Sequence, residues 1–330
     1  MQKMIGRAAQ GLFIACTVFA AMTTRGSAEE LKNWRHGILQ AKSDAGILMM
    51  VTQHDFAARH GLKIEIIQFK SDVPEVQAAI AGEIDSFEGG VPSAISADAH
   101  GANVQVLGCH WPGLPHGIFT KASVKSIAEL KGRTFAISSP GAMPDTLVRT
   151  VLAKYRIKPS EVYFANLGGD LDRYKALQAG VVDAAVVSGE YEPIAKKAGL
   201  RLLVRGSDVL PNFMRICIET SDKVLEQKRD LAADFLAAEM DALRYALSHK
   251  DEVIALTRQI TGAKSDDPRP GYIFDQAKDG GVDPTIAIPM KKLEWMQRQM
   301  LAAGKIVKPI DLTKYVAPDV RRKALSLVRQ

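Results

Sequence analysis

An internal match narrows the fold more than any other feature. Slid against itself by 98 residues, the sequence lays "VQAAIAGEIDSFEGG", starting at Val76, beside "YKALQAGVVDAAVVS", starting at Tyr174. Ala81-Gly82 falls on Ala179-Gly180, Ile84-Asp85 on Val182-Asp183, and Gly101 on Gly199. "NVQVL" from Asn103 falls on "RLLVR" from Arg201. Each block reads as a helix closed by glycine, a short strand, a polar loop, a second helix and another strand. Two copies are too few for a solenoid and point to two similar α/β lobes.

The rest of the chain fits that plan. Strands are expected over 34–39, 62–69 and 84–87, with helices over 45–59, stopped by Gly61, and 74–81, stopped by Gly82. Strands alternating with helices argue for a parallel sheet covered on both faces. Two crossings lie between the blocks: "HWPGLPHGIFTK" over 110–121 and "NFMRICIETSDKV" over 212–224. Beyond them the pattern is helical, over 224–247, 250–260, 285–303 and 320–328, with "KSDDPRPG" (264–271) as a loop.

The N-terminus indicates where such a chain works. Lys3 and Arg7 precede an apolar run over 11–22, and Gly26-Ser27-Ala28 supplies the small residues of a cleavage site. This is the pattern of a secretory leader, residues 1–28, too short in its apolar part to span a membrane. Phe13 stands where a lipoprotein box before Cys16 usually has leucine, which argues against lipidation. Without the leader about 300 residues remain, enough for two lobes, and 40 basic residues stand against 37 acidic, a net charge of +3. That balance, with no basic run, does not suggest a nucleic-acid partner. Of the three cysteines only Cys109 and Cys217 follow the leader. A bridge in an exported protein and two buried thiols are both open readings.

In an open parallel sheet, ligands bind at the carboxyl ends of strands, beside helix N-termini whose unpaired amides favour an anion. Five such places are expected: Lys42, Ser43 and Asp44; Glu88, Gly89 and Gly90; His110 and Trp111; Ser138, Ser139, Gly141, Ala142 and Met143; and Ser188, Gly189 and Glu190. In the fourth, "TFAISSPGAMPDTLVRTVL", a serine either caps the next helix or offers its hydroxyl to a ligand. Pro140 or Pro144 tolerates a first-turn position and Gly141 lets backbone approach a bound group. Trp111 either stacks on a planar ligand or packs at a hinge. Charged Glu88 and Glu190 either hold an amine or are simply solvated. His54 and His60 are six residues apart, and His110 and His116 have no acidic or cysteine neighbour at metal spacing. No metal and no cofactor are expected, and no nucleophile motif is present.

With these pieces assembled, the chain resembles solute-binding proteins of ATP-driven (ABC) importers, in the group that takes up nitrate, sulfonates, taurine and thiamine-precursor pyrimidines. The resemblance is carried by "LQAGVVDAAVVSGEYEPIAKKAG", "SIAELKGRTFAISSPGAMPDTLVRTVL", "AAIAGEIDSFEGG" and the long-helix segment "SDKVLEQKRDLAADFLAAEMDALRY". It implies a type II periplasmic binding fold: two Rossmann-like lobes joined by two hinge crossings, with a helical C-terminal part packed on the first lobe. Lobe 1 is then 29–118 with 216–330, and lobe 2 is 119–215. The family's contact loops fall on the five places above. The chain departs at Lys42-Ser43-Asp44, where such proteins often have aromatic or small apolar residues.

The resemblance implies a monomeric, non-enzymatic periplasmic receptor that delivers a small organic anion, sulfonate or carboxylate, to an inner-membrane permease. Acids at Asp44, Glu88 and Glu190 sit awkwardly with bare nitrate and suit a solute, zwitterionic or aromatic, that also carries an amine or ring nitrogen. The alternatives are a binder of a nitrogen heterocycle, an enzyme on the same fold with His110 or His116 as base, and the effector module of a transcription regulator. No helix-turn-helix precedes Leu31, which weighs against the last.

Overall fold

The computed structural model describes residues 30–328, so the expected leader and its Cys16 lie outside the described residues. In chain order the first half runs β1 (Lys32–Leu39), α1 (Ala45–Leu48), α2 (Phe56–Arg59), β2 (Leu62–Phe69), α3 (Asp72–Ala81), β3 (Ser86–Gly90), α4 (Val91–Ala99) and β4 (Val104–Pro112). Then follow β5 (His116–Lys121), β6 (Thr134–Ile137), α5 (Met143–Lys154), β7 (Tyr163–Asn166), α6 (Asp170–Gln178), β8 (Ala184–Ser188), α7 (Glu192–Lys197), β9 (Leu200–Arg205) and α8 (Gly206–Val209). The chain ends with β10 (Met214–Ser221), α9 (Asp222–Ala246), α10 (Lys250–Thr261), α11 (Arg269–Gln276), α12 (Met290–Ala302) and α13 (Pro318–Leu327). No helix among the described residues is long and apolar enough to cross a membrane.

The strands form two five-stranded sheets, ordered β2-β1-β3-β10-β4 and β7-β6-β8-β5-β9. The plans are identical. In each, three parallel strands are followed by one antiparallel strand, β10 or β5, that the chain lays down just after crossing from the other sheet. The internal match is therefore structural. α3 and α6 begin at Asp72 and Asp170, and β3 and β8 begin at Ser86 and Ala184, each pair 98 residues apart. Gly82 and Gly180 end the paired helices at φ 79° and 75°, a left-handed turn costly for any residue with a Cβ. Asp85 accepts the Arg35 amide at 2.8 Å and Asp183 accepts the Thr134 amide at 3.0 Å, the same brace in both lobes.

Both faces of each sheet are covered, as parallel strands require. One face of the first sheet packs Trp34 and Ile218 against Phe235 and Leu236 of α9, with α10, α11 and α13 behind them. The other packs Phe87 and Val106 against α3, α4 and Met296 of α12. Each such side chain stabilises the fold by roughly 1.5–3 kcal/mol. The second sheet sits between α5, with Leu147 and Val151, and α6, with Tyr174 and Leu177. The C-terminal helices thus lie on the first lobe.

Several boundaries differ from expectation. The helix foreseen over 45–59 is broken into α1, a 3₁₀ turn at Met50–Thr52 and α2, with His54 at φ 50°. Its ring is bonded to Glu252 at 2.6 Å and packs on Tyr245, tertiary contacts that outweigh helical propensity. The strand foreseen over 84–87 is displaced to 86–90, so Glu88, Gly89 and Gly90 are strand residues, and His110 and Trp111 lie inside β4. The helix foreseen from 285 starts at Met290, because Ile286 takes φ 47° and Pro289 stands before the first turn. The loop over 264–271 gives way at Arg269 to α11. Cys109 and Cys217 face each other across β4 and β10 and are disulfide-bonded, which settles the alternative left open by spacing.

Candidate functional site

The loop after β1 carries the first-lobe side of the site. Asp44 is buried, and its carboxylate pairs with Arg215 of β10. The Arg215 guanidinium lies 4.4 Å from the centre of the Trp111 ring, so a planar cation is held between an acid and an aromatic face. Beside Trp111 runs a wide helical turn, Ala277–Gly281, that continues α11. Ser43 comes close enough to Glu190 of the second lobe to favour its ionised form, and the Lys42 charge does the same for both Glu190 and Asp170. Here the lobes meet at the ends of their strands.

On the second-lobe side, Gly189 donates its N–H to the Pro115 carbonyl at 2.7 Å. A Cβ there would sit 2.7 Å from that same oxygen, so only glycine allows the approach. Glu190 is 8% exposed; burial, with Asp44 adding repulsion, raises its carboxyl pKa although nearby Ser43 and Lys42 oppose the rise. Asp170 opens α6 and takes Arg173 at 2.5 Å, with His116 at 3.5 Å. Burial pushes the Asp170 carboxyl up, yet His116, Arg173 and Lys42 together hold it below the usual carboxylate range. Arg269 of α11 sits 5.6 Å from the Tyr191 ring and adds positive charge near Glu190.

The other expected residues are placed differently. Glu88 and His110, 3% and 1% exposed, bond to each other at 2.7 Å inside the first lobe, with His36 at 3.8 Å. Burial opposes ionisation of Glu88, but attraction and hydrogen bonding from His110 and His36 prevail and hold its carboxyl below the usual carboxylate range. Gly89 is buried against Glu75, and the Gly90 amide donates to Asp72 at 2.6 Å. In the turn before α5 the capping residue is Ala142, with no side-chain cap, so neither Ser138 nor Ser139 plays that part. The Gly141 amide donates instead to Asp145 at 2.7 Å and the Ala142 amide to the Ser139 carbonyl at 3.2 Å. The amides expected to be unpaired at Gly90, Gly141, Ala142 and Gly189 are thus bonded within the chain.

A Cβ on Gly141 would lie 3.0 Å from Lys305 Nζ, which marks that turn as a second place where the lobes approach. Met143 is half-buried on the second-lobe core, and Ser188 ends β8 opposite His116. The structure therefore gathers Lys42, Ser43, Asp44, Trp111, Gly189 and Glu190, and leaves Glu88 and His110 apart. Sequence reasoning did not single out Arg215, Asp170, Arg173 or Arg269. Asp170 was legible as the 98-residue counterpart of Asp72; Arg215, inside an apolar strand, and Arg269, in a segment read as loop, carried no such signal.

This arrangement, two like sheets exchanging a strand at paired crossings with helices added to the first, is the type II periplasmic binding fold. Residues 43–253 match the NMT1/THI5-like family, and the chain belongs to it. It is 24% identical over 246 residues to a Bacillus subtilis (strain 168) protein described as an aliphatic sulfonates-binding protein, covering 71% of each chain. Among solved structures it is similar to the periplasmic aliphatic sulphonate binding protein SsuA from Escherichia coli. There the TM-score is 0.73 at 21% identity, over 87% of this chain and 92% of that one. The desulfurization enzyme DszB shares the fold too, with a TM-score of 0.67 at 16% identity, over 89% of this chain and 99% of that one.

Proposed function

We propose that this protein is an extracytoplasmic receptor that captures a small organic anion, a sulfonate or carboxylate, and delivers it to an ABC importer in the inner membrane. Residues 1–28 are its export leader, 29–118 with 216–330 its first lobe and 119–215 its second. The observation that carries the reading is the meeting of Lys42–Ser43–Asp44 with Gly189–Glu190, beside Arg215 stacked on Trp111. Lys42, Arg215 and Arg269 supply positive charge for the anionic end of a solute. Asp44 and Glu190 suit an amine or ring nitrogen on the same molecule, and Trp111 offers a face to its apolar part. Solute bound between the lobes favours the closed form, which is the one a permease recognises. The sulfonate-binding relatives support this ligand class. An enzymatic role like that of DszB is the second reading, since that enzyme shares the fold.

A thermal-shift and calorimetry panel tests the reading, with alkanesulfonates, aminosulfonates, aromatic carboxylates and pyrimidines, each also checked for turnover. A true ligand at a hundred times its Kd stabilises the fold by about 2.7 kcal/mol, a melting shift of several degrees. Arg215→Ala should cost that ligand at least about tenfold in affinity, the weight of a charge-assisted bond. Stabilisation by pyrimidines alone would reassign the ligand. No stabilisation by any class, or turnover of one, would overturn the receptor reading.

A further inference from the structure

We propose that Tyr272, Glu192 and Arg205 form a latch that sets how much of the protein is closed, apart from any contact with the solute. Tyr272 stands on α11, whose Ile273 and Phe274 are buried in the first-lobe core with α9 and α10. Its hydroxyl donates to Glu192 Oε2 at 2.5 Å, in the first turn of α7 on the second lobe. The same hydroxyl accepts from Arg205 Nη1 at 3.2 Å, and Arg205 Nη2 reaches that Glu192 oxygen at 2.7 Å. Arg205 is the last residue of β9. One first-lobe hydroxyl thus closes a triangle with two second-lobe charges.

Three features make this a latch rather than a lock. Its charged members are partly exposed, 31% for the Glu192 side chain and 42% for Arg205, so water can replace Tyr272 when the lobes part. Both charges belong to one lobe and keep their partner on opening, so no buried charge is stranded. Arg269, one turn before Tyr272, is oriented by Asp267 at 2.6 Å and reaches Tyr191 of the second lobe, so the same helix face makes a parallel contact. Contacts present in one state and absent from the other bias the equilibrium by their full strength, and apparent affinity follows the population of the competent state.

The test needs no solute. Nitroxide labels on Val73→Cys and Leu171→Cys, exposed positions on α3 and α6 of the two lobes, report lobe separation in a Cys16→Ser background. Tyr272→Phe and Glu192→Gln should each add a longer-distance population, and the double variant should add no more than the larger single effect. Melting should stay near that of the labelled parent, because each change removes one hydrogen-bonding group without emptying space. Distance distributions that superimpose on the parent's in both single variants would overturn the latch. Since the readout is made without ligand, that failure is separate from failure of the receptor reading, which the ligand panel decides.

Discussion

Glu75 shows how one side chain escapes a reading of the sequence. It lies in the first turn of α3, where acids are ordinarily solvated and complement the helix dipole. Here it is fully buried, and neither carboxylate oxygen has a hydrogen-bond partner. Burial first, then Asp72, Glu219 and Glu88, push its pKa to about 9, so it carries a proton at neutral pH. In the unfolded chain the same group ionises near 4.5. The folded state therefore holds an extra proton between those values, and stability falls as pH rises from about 4.5 to about 9. Glu75→Gln keeps the shape and cannot ionise. Its melting temperature should match or trail the parent's at pH 5 and exceed it at pH 8.5, and parallel curves for the two proteins across that range would refute the assignment. The network of Glu88, His110 and His36 is likewise illegible in sequence, because its members come from three strands brought together by the sheet order.

Elements were legible where glycine punctuates them. Gly82 and Gly180 mark the ends of α3 and α6 because positive φ is cheap for glycine alone, and that requirement is local. Where a distant contact decides the backbone, as Glu252 does at His54, the local signal misled and one expected helix became three short pieces. The displaced β3 had the same cause: Glu88 and the two glycines are ordered by pairing with β10, a strand more than a hundred residues away. The disulfide acts on that same pair of neighbours, joining β4 to β10 across a sequence separation of 108. A cross-link closing so long a loop removes freedom from the unfolded chain, typically by about 2–4 kcal/mol. The melting temperature should drop by several degrees when reductant is added and likewise in Cys217→Ser, and an unchanged value in both would mean that the bond contributes little.

At the scale of the whole molecule, the two-lobe plan was readable because the chain repeats it, and the repeat survives as matched helices, strands and Asp85/Asp183 braces. The approach of α11 to the second lobe was not readable, since its segment has the composition of a loop and its partners lie about 80 residues earlier. The exchange of strands at the crossings has a further outcome, in time rather than space. All five strands of the second sheet fall within residues 116–205, whereas β4 pairs with β10 and its remaining backbone partners are Asp283, Ala287, Tyr315 and Ala317. A chain leaving the ribosome N-terminus first must therefore carry β4 unpaired until the middle of the molecule has been made. Pulse-labelled hydrogen exchange during refolding should find β6 and β8 amides protected before those of β4, and the opposite order would show that the outer body assembles without waiting for the inner one.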